Sequence, residues 1–153
     1  MSGEPARRTS TGRALRLVGP KDTADTDASL VLAPERQSVA VGRHWVVRIA
    51  ADAGVTGMAN QVIELLTSEL LANAVLHGAA GRAIHLAFHG NDDVARVAVS
   101  DSVPARPVVL HPELTAPSGR GMAIVEAMSN RWGVDAQADG GKVVWFEIDL
   151  DDY

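Results

Sequence analysis

The chain has 153 residues, no cysteine and a formal charge of −5, and 46% of its residues are hydrophobic. That suits one domain around a single core, since a chain near 150 residues buries roughly two-thirds of its unfolded surface. The composition excludes disulfides and thiolate metal sites, and it argues against direct nucleic-acid binding, which needs a basic face to neutralise phosphate.

Residues 1–28 mix Arg7, Arg8, Arg13, Arg16 and Lys21 with Ser, Thr, Gly and Asp and lack periodic hydrophobicity. This predicts a disordered N-terminal tail ahead of a domain at 29–153. No run matches a secretion signal or the ~18 apolar residues of a membrane span, so the expectation is a soluble, cytoplasmic protein without membrane contact. Ser29 to Ala33 reads as a short strand closed by Pro34, which suits the first turn of a helix from Glu35 to about Asp52. Gly54 marks its end. A second helix should run from about Thr56 to Leu76, with Gly78 and Gly81 bounding the turn that follows.

Within that second helix lies "ELLANAVLHG". At about 100° per residue, Glu69, Asn73 and His77 share a face with Val62, Leu65, Leu66 and Leu76. Three polar groups thus interrupt an apolar stripe. Burying such groups without partners costs on the order of 1–3 kcal/mol each, and more for an ionised carboxylate, so a polar ligand is expected beside them.

The second half changes period. Ala83 to His89 and Val94 to Asp101 alternate as strands joined by a turn at "GNDD". Val103 to Pro117 contains four of the chain's seven prolines, and a loop of that length within a compact domain is usually functional or disordered. "SGRGMAIVEAMSN" then opens with two glycines and turns helical. Trp132 to Ala138 and Val143 to Leu150 form a final hairpin around "DGG", with Trp132 and Trp145 as packing residues. The plan is α+β, with helices gathered on one side of a mostly antiparallel sheet.

In order and spacing, "SELLANAVLHG", "VAVSDSVP", "SGRGMAIVEAMSNRWGV" and "GKVVWFEI" resemble the histidine-kinase-like ATPase domain, in the compact form of bacterial anti-sigma-factor serine/threonine kinases. The resemblance covers about Leu30 to Leu150. It implies a two-layer sandwich of the Bergerat type with a mixed, mostly antiparallel sheet, binding ATP and Mg²⁺. Its partners would be a sigma factor and its antagonist, and relatives commonly form homodimers.

Position by position, the resemblance implies that Asn73 offers its amide oxygen to Mg²⁺ and that Glu69, one turn earlier, acts as general base. Asp101 would accept a hydrogen bond from the adenine amino group. Gly119 and Gly121 would let backbone approach the phosphates at a helix N-terminus, with Arg120 adding charge and Lys142 contributing near the last strand. His77 falls in the same motif without a clear role.

Two departures stand out. Asp101 is followed by Ser102, Val103 and Pro104 instead of glycines, and Gly140, Gly141 and Lys142 lead into Val143 without a threonine. Simpler readings stay open for each residue. Glu69 reaches solvent, Asn73 caps backbone, His77 bonds the last helical carbonyls, Asp101 forms a turn, the glycines only start a helix, and Arg120 and Lys142 are solvated charges. A non-catalytic module, in which Mg·ATP controls partner binding, is the alternative to a kinase.

Other chemistries fit poorly. "GRGMAI" has Ile124 where a dinucleotide fingerprint needs its third glycine, and "GGKVV" lacks the Ser or Thr of a phosphate-binding loop. His77, His85 and His89 have no carboxylate spacing that supports zinc.

Overall fold

The computed structural model of the chain describes residues 25–77, 82–101, 116–137 and 141–153, with backbone alone at 116–120. Most of the expected tail and of the proline-rich loop, together with Gly78, Gly81 and Gly140, lie outside the described residues.

The elements follow the expected order. They are β1 (Thr26–Leu32), α1 (Gln37–Asp52), α2 (Gly57–His77), β2 (Ile84–Gly90), β3 (Val94–Asp101), α3 (Ala116–Met128), β4 (Arg131–Ala136) and β5 (Lys142–Asp149), with a 3-10 turn at Leu150–Asp152. Most boundaries fall within two residues of expectation, and two differ by more. β1 begins at Thr26, so residues 26–28 belong to the sheet and not to the tail, and α3 begins at Ala116, ahead of both glycines.

The strands lie in the order β1-β2-β3-β5-β4, and every pairing is antiparallel, so the sheet is not mixed among the described strands. Its two faces follow from the alternation. Ile84, Leu86, Phe88, Ala95, Val97, Val99, Phe146 and Ile148 are buried toward the helices, while intervening residues face the open side. Register preserves this sorting, because a slip of one residue would send every apolar side chain to the wrong face.

Local chemistry explains how α1 and α2 stack above that face. Gly54 takes φ +95°, and the bonds Gly54 N–H to Ala51 O (2.9 Å) and Val55 N–H to Ala50 O (2.8 Å) close the end of α1 as a Schellman motif. Val55, just past the glycine, is buried against the core. Asn60 then donates to both Val47 O (3.1 Å) and Val55 O (2.9 Å), fixing the start of α2 to the preceding helix and its connection. Gly42 on α1 permits close packing, since a Cβ there would stand 2.5 Å from Leu71 Cδ1 and 3.1 Å from Leu32 Cδ1.

The buried stripe of α2 runs through Ala59, Val62, Ile63, Leu66, Leu70 and Ala74. Val62 and Leu66 meet the expectation, but Leu65 and Leu76 are 38% and 62% exposed. The helix is turned so that Ile63, Leu70 and Ala74 are buried instead. The polar trio therefore borders the apolar stripe and does not cut through its middle.

Candidate functional site

Asp101 closes β3 and Lys142 opens β5, and the two are directly opposite each other in the β3–β5 ladder. Directly opposed residues project to the same face, with Cβ atoms about 4.5–5.5 Å apart. That face is the one beneath the helices, because Asp101 continues the buried row of Ala95, Val97 and Val99. Asp101 is only 8% exposed and is the one ionisable side chain in the buried class among the described residues, while Lys142 is half-buried. A carboxylate is retained at such depth only with polar partners.

The same end of the sheet receives α2. Ile84 opens β2 opposite Asp101, and only residues 78–83 separate it from His77 at the end of α2. The last turns of α2, carrying Asn73 and His77, therefore lie at the Asp101 end. Asn73 and Glu69 are half-buried at the border of the helix's apolar face, and His77 is exposed.

α3 completes the arrangement by packing on α2. Gly119 and Arg120 fall on its first turns, and Gly121 is its sixth residue. Gly121 is buried, and a Cβ built on it would stand 2.5 Å from Glu69 Oε1. The carboxylate therefore rests against bare α3 backbone. Sequence spacing predicts that Glu69, Asn73 and His77 share a helical face. It contains no signal that Glu69 meets Gly121, 52 positions along the chain, because that contact exists only once α2 and α3 are packed.

The open face carries a different set of charges. Glu147 accepts from Arg131 Nε (2.6 Å) and Arg96 Nη1 (3.0 Å), and Arg131 also pairs with Asp149. Partial burial pushes the Glu147 carboxyl up, but the hydrogen bonds from Arg131 and Arg96 outweigh it and hold the group below its usual range. The same carboxylates, Asp149 first and then Glu147, raise Arg131. The Arg96 guanidinium stacks 4.2 Å above the Trp145 ring, which lies over Gly133 and donates from Nε1 to Asp135 (3.1 Å). This network ties β3, β5 and β4 together on the side away from the helices, and neither its partners nor its location was readable from spacing.

His85 and His89 also project to the open face, where His89 Nδ1 lies 2.7 Å from Asp27 Oδ1. His77 sits on the helical layer. No three His, Cys, Asp or Glu side chains among the described residues are grouped to hold a metal ion.

An antiparallel sheet with helices packed on one face, with Asp101 and Lys142 opposed on the helical side and Asn73 half-buried on α2, defines an α+β sandwich. Residues 32–148 match the model of the histidine kinase-like ATPase domain, and the chain belongs to that family. Membership makes this an ATP-binding domain. No curated protein matches the chain. No helix among the described residues is long and apolar enough to cross a membrane.

The residues present fit a magnesium nucleotide. Asn73 supplies a neutral hard oxygen of the kind Mg²⁺ accepts alongside waters and phosphate oxygens. Asp101 is a buried acceptor on an apolar floor, and Lys142 beside it is a cation.

Proposed function

We propose that the protein is an ATP-dependent serine/threonine kinase that phosphorylates the antagonist of a sigma factor. The observation that carries this reading is the half-buried Glu69 carboxylate, one helical turn before Asn73 and on the helical layer that covers Asp101 and Lys142. A domain that only held nucleotide would have no need of an acid at that border.

In this reading Asp101 accepts from the adenine amino group and selects the base. Asn73 holds Mg²⁺ through its amide oxygen, and Arg120 and Lys142 supply positive charge to the phosphates. ATP supplies the γ-phosphoryl group. A partner's seryl or threonyl oxygen bonds to the γ-phosphorus as the bond to the bridging oxygen breaks. Glu69 takes the hydroxyl proton and ADP leaves. Sigma-factor control comes from the resemblance to anti-sigma-factor kinases.

Two measurements test the proposal. Calorimetry with ATP, ADP and GTP, with and without Mg²⁺, should show preference for adenine nucleotides and at least tenfold weaker ATP binding in Asp101→Ala. Incubation of γ-labelled ATP with candidate antagonist proteins should transfer label, and Glu69→Gln should abolish transfer while ATP still binds. Intact ATP binding with no transfer to any candidate would replace the kinase by a module in which Mg·ATP only controls partner affinity. No adenine-nucleotide binding would overturn both.

A further inference from the structure

Glycine inside a helix is unfavourable relative to alanine, so a buried one calls for a reason in its surroundings. At Gly121 that reason is Glu69. A Cβ at position 121 would stand 2.5 Å from Glu69 Oε1, 3.5 Å from its Cδ and 3.7 Å from its Cβ. The carboxylate fills the room that any other residue would need. As the sixth residue of α3, Gly121 also lies beyond the four N–H groups that a helix N-terminus leaves for an anion, which separates it from Gly119.

We propose that Gly121 is a positioning residue for Glu69. By presenting bare backbone it lets the carboxylate lie against α3, so the seating of α3 on α2 sets the direction in which the acid points. This rests on the reading of Glu69 as general base. An alanine methyl at 121 would not block folding, because the atom it meets is the mobile end of a side chain and alanine is the better helix former. It would swing the carboxylate off its bearing. Aspartate at position 69, shorter by one methylene, would withdraw from the methyl and tolerate it.

The test combines Gly121→Ala and Glu69→Asp, singly and together, with transfer of label from γ-labelled ATP to the antagonist protein, calorimetry with Mg·ATP and thermal melting. In Gly121→Ala, turnover should fall at least tenfold while ATP affinity changes less than threefold and the melting temperature holds or rises. In the Glu69→Asp background, adding Gly121→Ala should lower turnover less than threefold. A purely structural glycine would move melting and leave this background dependence absent. The inference is overturned if Gly121→Ala keeps full turnover, if its loss is the same in both backgrounds, or if the loss appears in ATP affinity. Wild type that binds Mg·ATP but transfers no label to any candidate antagonist overturns the general-base reading itself. In that case, a melting temperature in Gly121→Ala that depends on whether residue 69 is Glu or Ala still reports the contact.

Discussion

Thr67 is fully buried in α2, and its Oγ1 has no hydrogen-bond partner among the described residues. A hydroxyl in that state keeps its desolvation penalty without a compensating bond. Thr67→Val, nearly the same shape, should therefore raise stability by about 1 kcal/mol, read as a higher melting temperature with unchanged ATP affinity. Asn60 presents the opposite case, since its amide serves two carbonyl oxygens at once. Asn60→Ala should cost about 1–3 kcal/mol in denaturant unfolding. Asn60→Asp should cost more near neutral pH, because it aims an acceptor at two acceptors, and part of that loss should return as the carboxyl protonates in acid. At this scale the sequence was informative where period decides the outcome. Glu69 and Asn73 share a helical face because their spacing requires it. The exposure of Leu65 and Leu76 was not legible, since the rotation of α2 is set by what α1 and the sheet present to it.

Elements were more readable than their orientation. Strand alternation from Ile84 to Phe88 and from Ala95 to Val99 survives in the fold unchanged, because a sheet covered on one side enforces period two. The end of α1 was legible through Gly54, whose positive φ is required by the turn. The start of α3 was misplaced because glycines are poor helix formers, and their presence at 119 and 121 pointed to a turn. Packing on α2 overrides that propensity. The α1–α2 contact offers its own test at Gly42, whose neighbours Leu71, Leu32 and Leu86 include side chains with no exposure. Gly42→Val should lower stability by about 1–3 kcal/mol in chemical denaturation, since those leucines have little room to retreat.

Across the whole molecule the Asp101–Lys142 pair and the Arg131 network occupy opposite faces of the sheet. The network adds a pH dependence whose direction follows from Glu147. Its carboxyl is held down in the folded chain, so the folded state favours the ionised form. That stability is complete above the pKa of the unfolded group, about 4.3, and is lost as pH falls through the lower folded value. Melting followed from pH 6 to pH 3 should fall, and Glu147→Gln should flatten that slope. The loss at neutral pH should be modest, about 1 kcal/mol or less, because Arg131 is 47% exposed and water screens the pair. The acid midpoint should therefore move while nucleotide affinity stays constant. This network was hidden from sequence reading because cross-strand partners 16 and 51 positions apart are set by register alone.

The outer strands, β1 and β4, each have no neighbouring strand on one side among the described residues. A row of unpaired amides invites another chain to zip alongside, yet Asp25 and Asp27 flank the first rim and Arg131 and Asp135 the second. Like charges would meet wherever two identical rims approached in parallel and in register, and this should disfavour the in-register stacking of newly made copies into fibres.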